Sequence, residues 1–246
     1  MNFRARHQSG EPLVLPNAWD AASARLVERA GAEVVATTSA GIAWSLGVPD
    51  GERLGADDAV EVVRRIVRAV DVPVTADIEG GYGDVAGTVS RVRDVGVVGI
   101  NIEDGTRARP ERIAAARAVD EQLFVNARID TFLLGGGDIS ETVARARQYL
   151  DAGADGIFVP GVVDGDVIAE LVEKIPAPVN VMAGPGAPSV AELARLGVRR
   201  VSVGASIPMA AYSLVMAAAT EILRFGTYER SRAELTHGEL NSAFVH

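Results

Sequence analysis

The chain has 246 residues, of which 48% are hydrophobic and 23% charged, with a formal net charge of −9. That is enough apolar material for a sizeable core, arranged as one large domain of α/β-barrel size or as two small ones. The absence of cysteine excludes disulfides, thiolate catalysis and cysteine-ligated zinc, and the acidic balance argues against nucleic-acid binding through bulk electrostatics.

Short β-branched runs alternate with helical stretches along the chain. Leu13-Val14-Leu15 reads as a first strand, followed by Pro16-Asn17-Ala18-Trp19-Asp20 and a helix to about Ala30. Glu33 to Thr38 is the second strand, and Ser39 to Gly55 reads as a loop. The helix Ala56 to Val70 puts Val60, Val63, Ile66, Val67 and Val70 on one face. The third strand ends at Ala76, and a helix follows from about Asp84 to Asp94. Val97 to Ile102, Leu123 to Ala127, Asp155 to Val159, Val179 to Met182 and Arg200 to Val203 are the remaining strands. Helices lie between them at Pro110 to Val119, Ile139 to Ala152, Asp164 to Lys174 and Ser189 to Leu196, and a long one runs from about Ile207 to Phe225.

Eight strand–helix units within about 225 residues predict a (β/α)₈ barrel, in one domain over 1–246 with a C-terminal helical tail from about 207. An open doubly wound sheet is the alternative, but no Gly-x-Gly-x-x-Gly opens the first helix. The start, Met1 to His7, has no apolar h-region, so no secretory signal is expected. No run of about 18 apolar residues suggests a membrane span, and a soluble cytoplasmic protein is the expectation. The three histidines, His7, His237 and His246, are too few for a histidine-rich transition-metal site.

In a barrel, chemistry belongs at the carboxyl ends of the strands, and those ends are polar here. The densest is Asp77-Ile78-Glu79-Gly80-Gly81-Tyr82-Gly83-Asp84. If the backbone stays extended, Asp77 and Glu79 project to one side, where two carboxylates repel unless a cation lies between them. Oxygen ligands suit a hard ion such as Mg²⁺. The plain alternative is an acidic, solvated turn. Neighbouring strand ends add Ser39-Ala40-Gly41, Glu103-Asp104 and Arg128-Ile129-Asp130. Arg128 is suited to bidentate pairing with a substrate carboxylate, and Ser39, Ala40 and Gly41 could offer backbone N–H groups to an anion. The alternative is a buried arginine–glutamate network with a structural role only.

Ala36-Thr37-Thr38-Ser39-Ala40-Gly41 with Gly47-Val48-Pro49-Asp50, then Asp77 to Gly83, Gly99 to Asp104 and Asn126 to Asp130, taken in this order, resemble the isocitrate lyase/phosphoenolpyruvate mutase superfamily over about Leu15 to Gly204. The resemblance implies a barrel of the phosphoenolpyruvate/pyruvate type, Mg²⁺ as cofactor, and small 2-oxo or 2-hydroxy carboxylates as substrates handled through an enolate. It implies that Asp77 holds Mg²⁺ most directly, with Asp50, Glu79 and Glu103 acting through metal-bound waters, and that Ser39, Ala40, Gly41 and Arg128 grip the substrate carboxylate. It also implies a homotetramer, a dimer of dimers, with the last barrel helix exchanged between subunits. The tail Thr227 to His246 could pack on the partner or fold back on its own barrel.

The chain departs from the lyases after the fourth strand. Gly105-Thr106-Arg107-Ala108-Arg109-Pro110 is short and has no Cys, Lys or His, so isocitrate-type cleavage is not supported. Tyr82, beside the metal carboxylates, becomes the candidate proton donor, with Glu103 and Arg128 the other candidate catalytic groups. His237 reads as a solvated tail residue, and Trp44 as an interface anchor or a lid. The leading expectation is a Mg²⁺-dependent carbon–carbon lyase or decarboxylase. The alternatives are phosphorus–carbon chemistry on a phosphonopyruvate-like substrate, with Arg107 or Arg109 as an added cation, and a non-catalytic barrel binding a carboxylate–Mg²⁺ complex.

Overall fold

A computed structural model describes residues 3–245 apart from 9 and 135; Met1, Asn2 and His246 of the sequence reading lie outside these. Nine parallel strand segments form one sheet. They are β1 (Leu13–Leu15), β2 (Asn17–Ala18), β3 (Val35–Thr37), β4 (Val74–Asp77), β5 (Gly99–Glu103), β6 (Phe124–Arg128), β7 (Gly156–Val159), β8 (Val179–Met182) and β9 (Arg200–Ser202). Their order is β1-β9-β8-β7-β6-β5-β4-β3-β2. Leu13 pairs with Arg200, and Asn17 pairs with Ala36. The first strand therefore bonds β9 before Pro16 and β3 after it. Pro16 cannot donate to a ladder, so β1 and β2 are two halves of one barrel strand and the ring is a (β/α)₈ barrel.

The helices are α1 (Phe3–Arg6), α2 (Ala21–Arg29), α3 (Ser39–Ser45), α4 (Ala56–Ala69), α5 (Val85–Asp94), α6 (Pro110–Val119), α7 (Ile139–Asp151), α8 (Gly165–Lys174), α9 (Val190–Arg195), α10 (Ser206–Phe225) and α11 (His237–Ala243). The segment after β3, expected as loop, begins with the helix α3. Ile42 N–H donates to Thr38 O at 3.0 Å, and Thr38 is extended, so helix starts directly at the strand end. The main core lies between strands and helices, with Val63 and Ile66 of α4 and Val89 and Val92 of α5 buried in it. A second cluster, Phe3, Leu13, Leu15, Val34, Ala36 and Phe124, closes the floor of the barrel.

Ion pairs tie α1 to that floor. Asp155 accepts from Arg4 Nε at 2.8 Å, from Arg117 Nη2 at 2.5 Å and from Val125 N–H at 2.8 Å. One carboxylate thus links α1, α6 and the start of β6.

Beyond β9 the fold changes character. Of α10's residues only Pro208 is buried, while Leu214, Val215, Met216, Leu223 and Phe225 are exposed. The sequence reading found no membrane span, yet by length and composition alone this 20-residue helix, with an 18-residue window of mean hydropathy 1.4, would suffice. Its N-terminal half is held on the barrel by Tyr212, whose ring lies 6.4 Å from those of Trp19 and Trp44. The tail folds back on its own barrel. Arg25 Nε donates to Ala243 O at 3.0 Å, and Arg29 Nη1 to Ser242 O at 2.8 Å. His237 opens α11 and is exposed, as a solvated tail histidine should be.

Removing the Asp155 carboxylate leaves the Val125 amide without its acceptor and takes the facing anion from Arg4 and Arg117, which keep only backbone carbonyls. Asp155→Ala is expected to lower unfolding stability by about 2–3 kcal/mol, measured as a shift of the urea midpoint with an unchanged m value.

Candidate active site

The strand ends surround a cleft of about 240 Å³ at the carboxyl face of the barrel. Ser39, Ala40, Asp50, Asp77 and Arg128 line it. Gly41, Glu79, Tyr82 and Glu103, named from the sequence, stand behind the lining.

Asp77 is the last residue of β4. Its Oδ2 accepts from the Ser39 hydroxyl at 2.8 Å and from the Ser39 N–H at 3.2 Å. Ser39 therefore orients Asp77. Gly41 is fixed in type by packing: a Cβ there would lie 2.7 Å from Trp19 Cβ and 2.9 Å from Thr38 Cγ2. The glycine lets α3 lie directly against the barrel rim.

The expected extension of Asp77 through Glu79 does not occur. Strand structure stops at Asp77, and Glu79 adopts a left-handed φ of 49°. Glu79 N–H turns back to Asp77 Oδ1 at 3.3 Å, while Glu79 Oε2 accepts the Glu52 N–H and the Tyr82 hydroxyl lies on the same carboxylate. Glu52 and Tyr82 are left-handed as well, at φ 56° and 52°. Three non-glycine residues in that sparsely populated region touch one another here, which marks the turn as a strained, over-determined segment.

Arg128 ends β6 and is divided between two acids. Its Nη1 meets Glu103 at 2.7 Å and its Nε meets Asp130 at 2.6 Å. The free bidentate fork expected from the sequence is thus not present, and Nη2 is the edge left for a ligand. Asp130 is itself braced, its N–H donating to Asp104 Oδ1 at 3.0 Å. Asp104 also accepts from Arg145 Nη1 at 3.0 Å and from the Tyr149 hydroxyl at 2.6 Å. Arg128 belongs both to this network and to the lining of the cleft.

Burial sets the protonation of these groups. It pushes the Glu103 carboxyl up to about 8 against the pull of Arg128. It pushes Glu79 up to about 7, although the Glu52 amide favours the ionised form, and nearby Asp77 and Asp50 add to the rise. Tyr82 is raised well above its ordinary value by burial and by Glu79, so it keeps its proton. For Arg128, burial opposes its charge, but Glu103 and Asp130 outweigh that and hold it protonated.

The donor set is carboxylate oxygen throughout, which suits a hard dication, and crowded acids of raised pKa are what such an ion would relieve. Among the described residues no three acidic or histidine side chains converge on one point. An ion here would therefore be held by few protein atoms and mostly by water.

The cleft also has polar residues that the sequence reading left without a role, Asn17, Asn101 and Ser202. A signal was present: Asn101, Asn126 and Asn180 each stand two positions before the last residue of a strand, on the inward face that Arg128 shares with Asn126.

With the acids untouched by metal, both glutamates bind a proton more tightly folded than unfolded. Their contribution is present in full below about pH 4.5 and is lost as pH rises through about 7 to 8. In EDTA the thermal midpoint is expected to fall across that window, and Glu79→Gln to flatten the fall.

The sequence profile of phosphoenolpyruvate phosphomutase matches residues 3–223. An uncharacterized protein of Mycobacterium tuberculosis is 39% identical over all of this chain and 96% of its own length. Oxaloacetate decarboxylase of Pseudomonas entomophila is 31% identical, over 90% of this chain and 82% of that one. The solved structure of a phosphonopyruvate hydrolase in complex with oxalate and Mg²⁺ superposes with a TM-score of 0.84 at 27% identity, covering 98% of this chain and 93% of that one. Matched over nearly its whole barrel, the chain belongs to the phosphoenolpyruvate phosphomutase family of the isocitrate lyase/phosphoenolpyruvate mutase superfamily, and is an enzyme of that lyase group.

Proposed function

We propose that the protein is a Mg²⁺-dependent carbon–carbon lyase or decarboxylase acting on a small 2-oxo or 2-hydroxy carboxylate. The observation that carries this reading is the pairing, across one small cleft, of an oriented carboxylate, Asp77, with a buried cation, Arg128. The relatives named for oxaloacetate and the neighbour bound to oxalate and Mg²⁺ support it. Asp77 would hold the ion directly, with Asp50, Glu79 and Glu103 reaching it through water. When bound, Mg²⁺ supplies Lewis-acid stabilisation of the charge that develops on the 2-oxo oxygen. Arg128 Nη2 and the Ala40 region bind and orient the substrate carboxylate. In a decarboxylation the C3–C4 bond breaks, CO₂ leaves, the electron pair becomes an enolate, and C3 takes up a proton. Tyr82 is proposed to position Glu79 through its hydroxyl, and Glu103, whose carboxyl burial pushes upward against the pull of Arg128, is proposed as the proton store.

Phosphorus–carbon chemistry would want a second cation over the cleft. Arg109 instead pairs with Glu111 at 3.6 Å, and neither it nor Arg107 lines the cleft, which favours the carbon–carbon reading. The carboxylate–Mg²⁺ sensor differs from it only in lacking turnover.

We also propose a homo-oligomer, a dimer or a dimer of dimers, joined through α10. A groove between α3 and α10, lined by Trp44, Met209, Tyr212 and Met216, is apolar, and an exposed apolar face of this extent marks an association surface. This takes Trp44 as an interface anchor.

Calorimetric titration with oxalate, an enolate mimic, in Mg²⁺ tests the site. Asp77→Ala should abolish Mg²⁺-dependent binding with the fold retained, and unchanged affinity removes the metal assignment. Arg128→Lys should weaken binding at least about tenfold, or about 1.4 kcal/mol; a smaller change favours a purely structural network. Turnover of oxaloacetate, substituted malates and phosphonopyruvate then separates the three activities, binding without turnover supporting the sensor. Light scattering at micromolar concentration should give a multiple of 25.7 kDa, and the monomer mass would contradict the assembly.

A further inference from the structure

Arg200, at the start of β9, is 1% exposed inside the barrel, directly beneath the cleft. It has no carboxylate within ion-pair distance among the described residues, and its Nε has no partner. Its Nη2 donates to Asn101 Oδ1 at 3.1 Å, and its Nη1 lies 3.5 Å from His7 Nε2. His7 Nδ1 is 2.9 Å from Phe3 O, which can only accept, so the His7 proton sits on Nδ1 and Nε2 faces Arg200 as acceptor. Burial and the Arg200 charge lower His7 to about 4, so the imidazole is neutral. Arg200, lowered by burial to about 9, remains a cation at neutral pH.

A guanidinium donates only, and that fixes the direction of every hydrogen bond above it. The Asn101 atom facing Arg200 must be the oxygen. The same oxygen accepts from Asn126 Nδ2 at 2.9 Å, and Asn126 Nδ2 also donates to Asn180 Oδ1 at 3.0 Å. Asn180 Nδ2 donates to Ser202 Oγ at 3.2 Å. Asn101 Nδ2 then has no acceptor among the described residues, and the Ser202 hydroxyl, already accepting, has its proton free. Both residues line the cleft.

We infer that Asn101 Nδ2–H and Ser202 Oγ–H form the floor of an oxyanion-binding subsite, with Arg200 as the positioning residue that turns both donors upward. The ligand class is the carboxylate or 2-oxo oxygens of a small dicarboxylate or its enolate, bound over a buried cation that has no counter-ion of its own. The inference rests on the proposed oxo-acid chemistry and names the atoms that read its oxygens.

The test is calorimetric titration of the full chain with oxalate in Mg²⁺, and with Mg²⁺ alone. Asn101→Asp keeps the oxygen that Arg200 and Asn126 need but replaces the upward donor with an anion. It should weaken oxalate binding at least tenfold without lowering the thermal midpoint. Ser202→Ala should weaken it severalfold with Mg²⁺ binding unchanged. Arg200→Met should match the loss of Asn101→Ala, and the double variant should lose no more than either alone, a non-additivity that general destabilisation does not produce. Absence of oxalate binding by the unaltered protein overturns the oxo-acid reading and this inference with it. Tight binding by the unaltered protein, kept within twofold by Asn101→Asp and Ser202→Ala, overturns the subsite alone, and additive losses remove Arg200 from it.

Discussion

The site depends on one divided arginine. Arg128 is held from two strands' ends, by Glu103 and Asp130, and a guanidinium so pinned cannot swing. Removing a partner from such a buried pair costs far more than the pair contributes, because it leaves a charge uncompensated. The braces continue outward through Asp104 to Arg145 and Tyr149 of α7, so a helix on the outside of the barrel fixes a cation facing its mouth. This is how a fold with a packed interior holds a reactive surface rigid: Asp77 and Arg128 at the cleft are each oriented by neighbours that are themselves fixed.

The same rule accounts for the carboxylates. Asp77 is positioned by Ser39 and Glu79 by the Glu52 amide, each from a segment far away in sequence and next to it in the ring. Backbone strain at Glu52, Glu79 and Tyr82 is tolerated because these contacts over-determine the turn. The parallel ladder supplies the common frame, since it places all eight strand ends at one face.

Much of this was legible in the residues. The alternation of β-branched runs with amphipathic stretches set the barrel, and the polar strand ends singled out Asp77, Glu79, Glu103 and Arg128. What escaped was direction. A strand end was taken as extended at Glu79, where the following glycines allow a left-handed turn instead. Ser39 also meets Asp77, and Gly41 also packs closely on Trp19, contacts made across the ring that no local pattern reports. Arg200 sat in an ordinary-looking strand, and only the closed barrel shows that no acid among the described residues lies within ion-pair distance of it. The tail's fold-back on α2 likewise rests on two arginine-to-carbonyl bonds more than 200 residues apart in sequence.

Met209 belongs at once to the wall of the cleft and to the apolar groove along α10. A body that settles on the helix therefore presses on the chamber, and a guest in the chamber presses back. Such coupling is reciprocal by thermodynamic necessity. If the proposed oligomer forms through α10, its assembly and the occupancy of the cleft become linked variables, and dilution and ligand depletion then act on the same side chain from opposite faces.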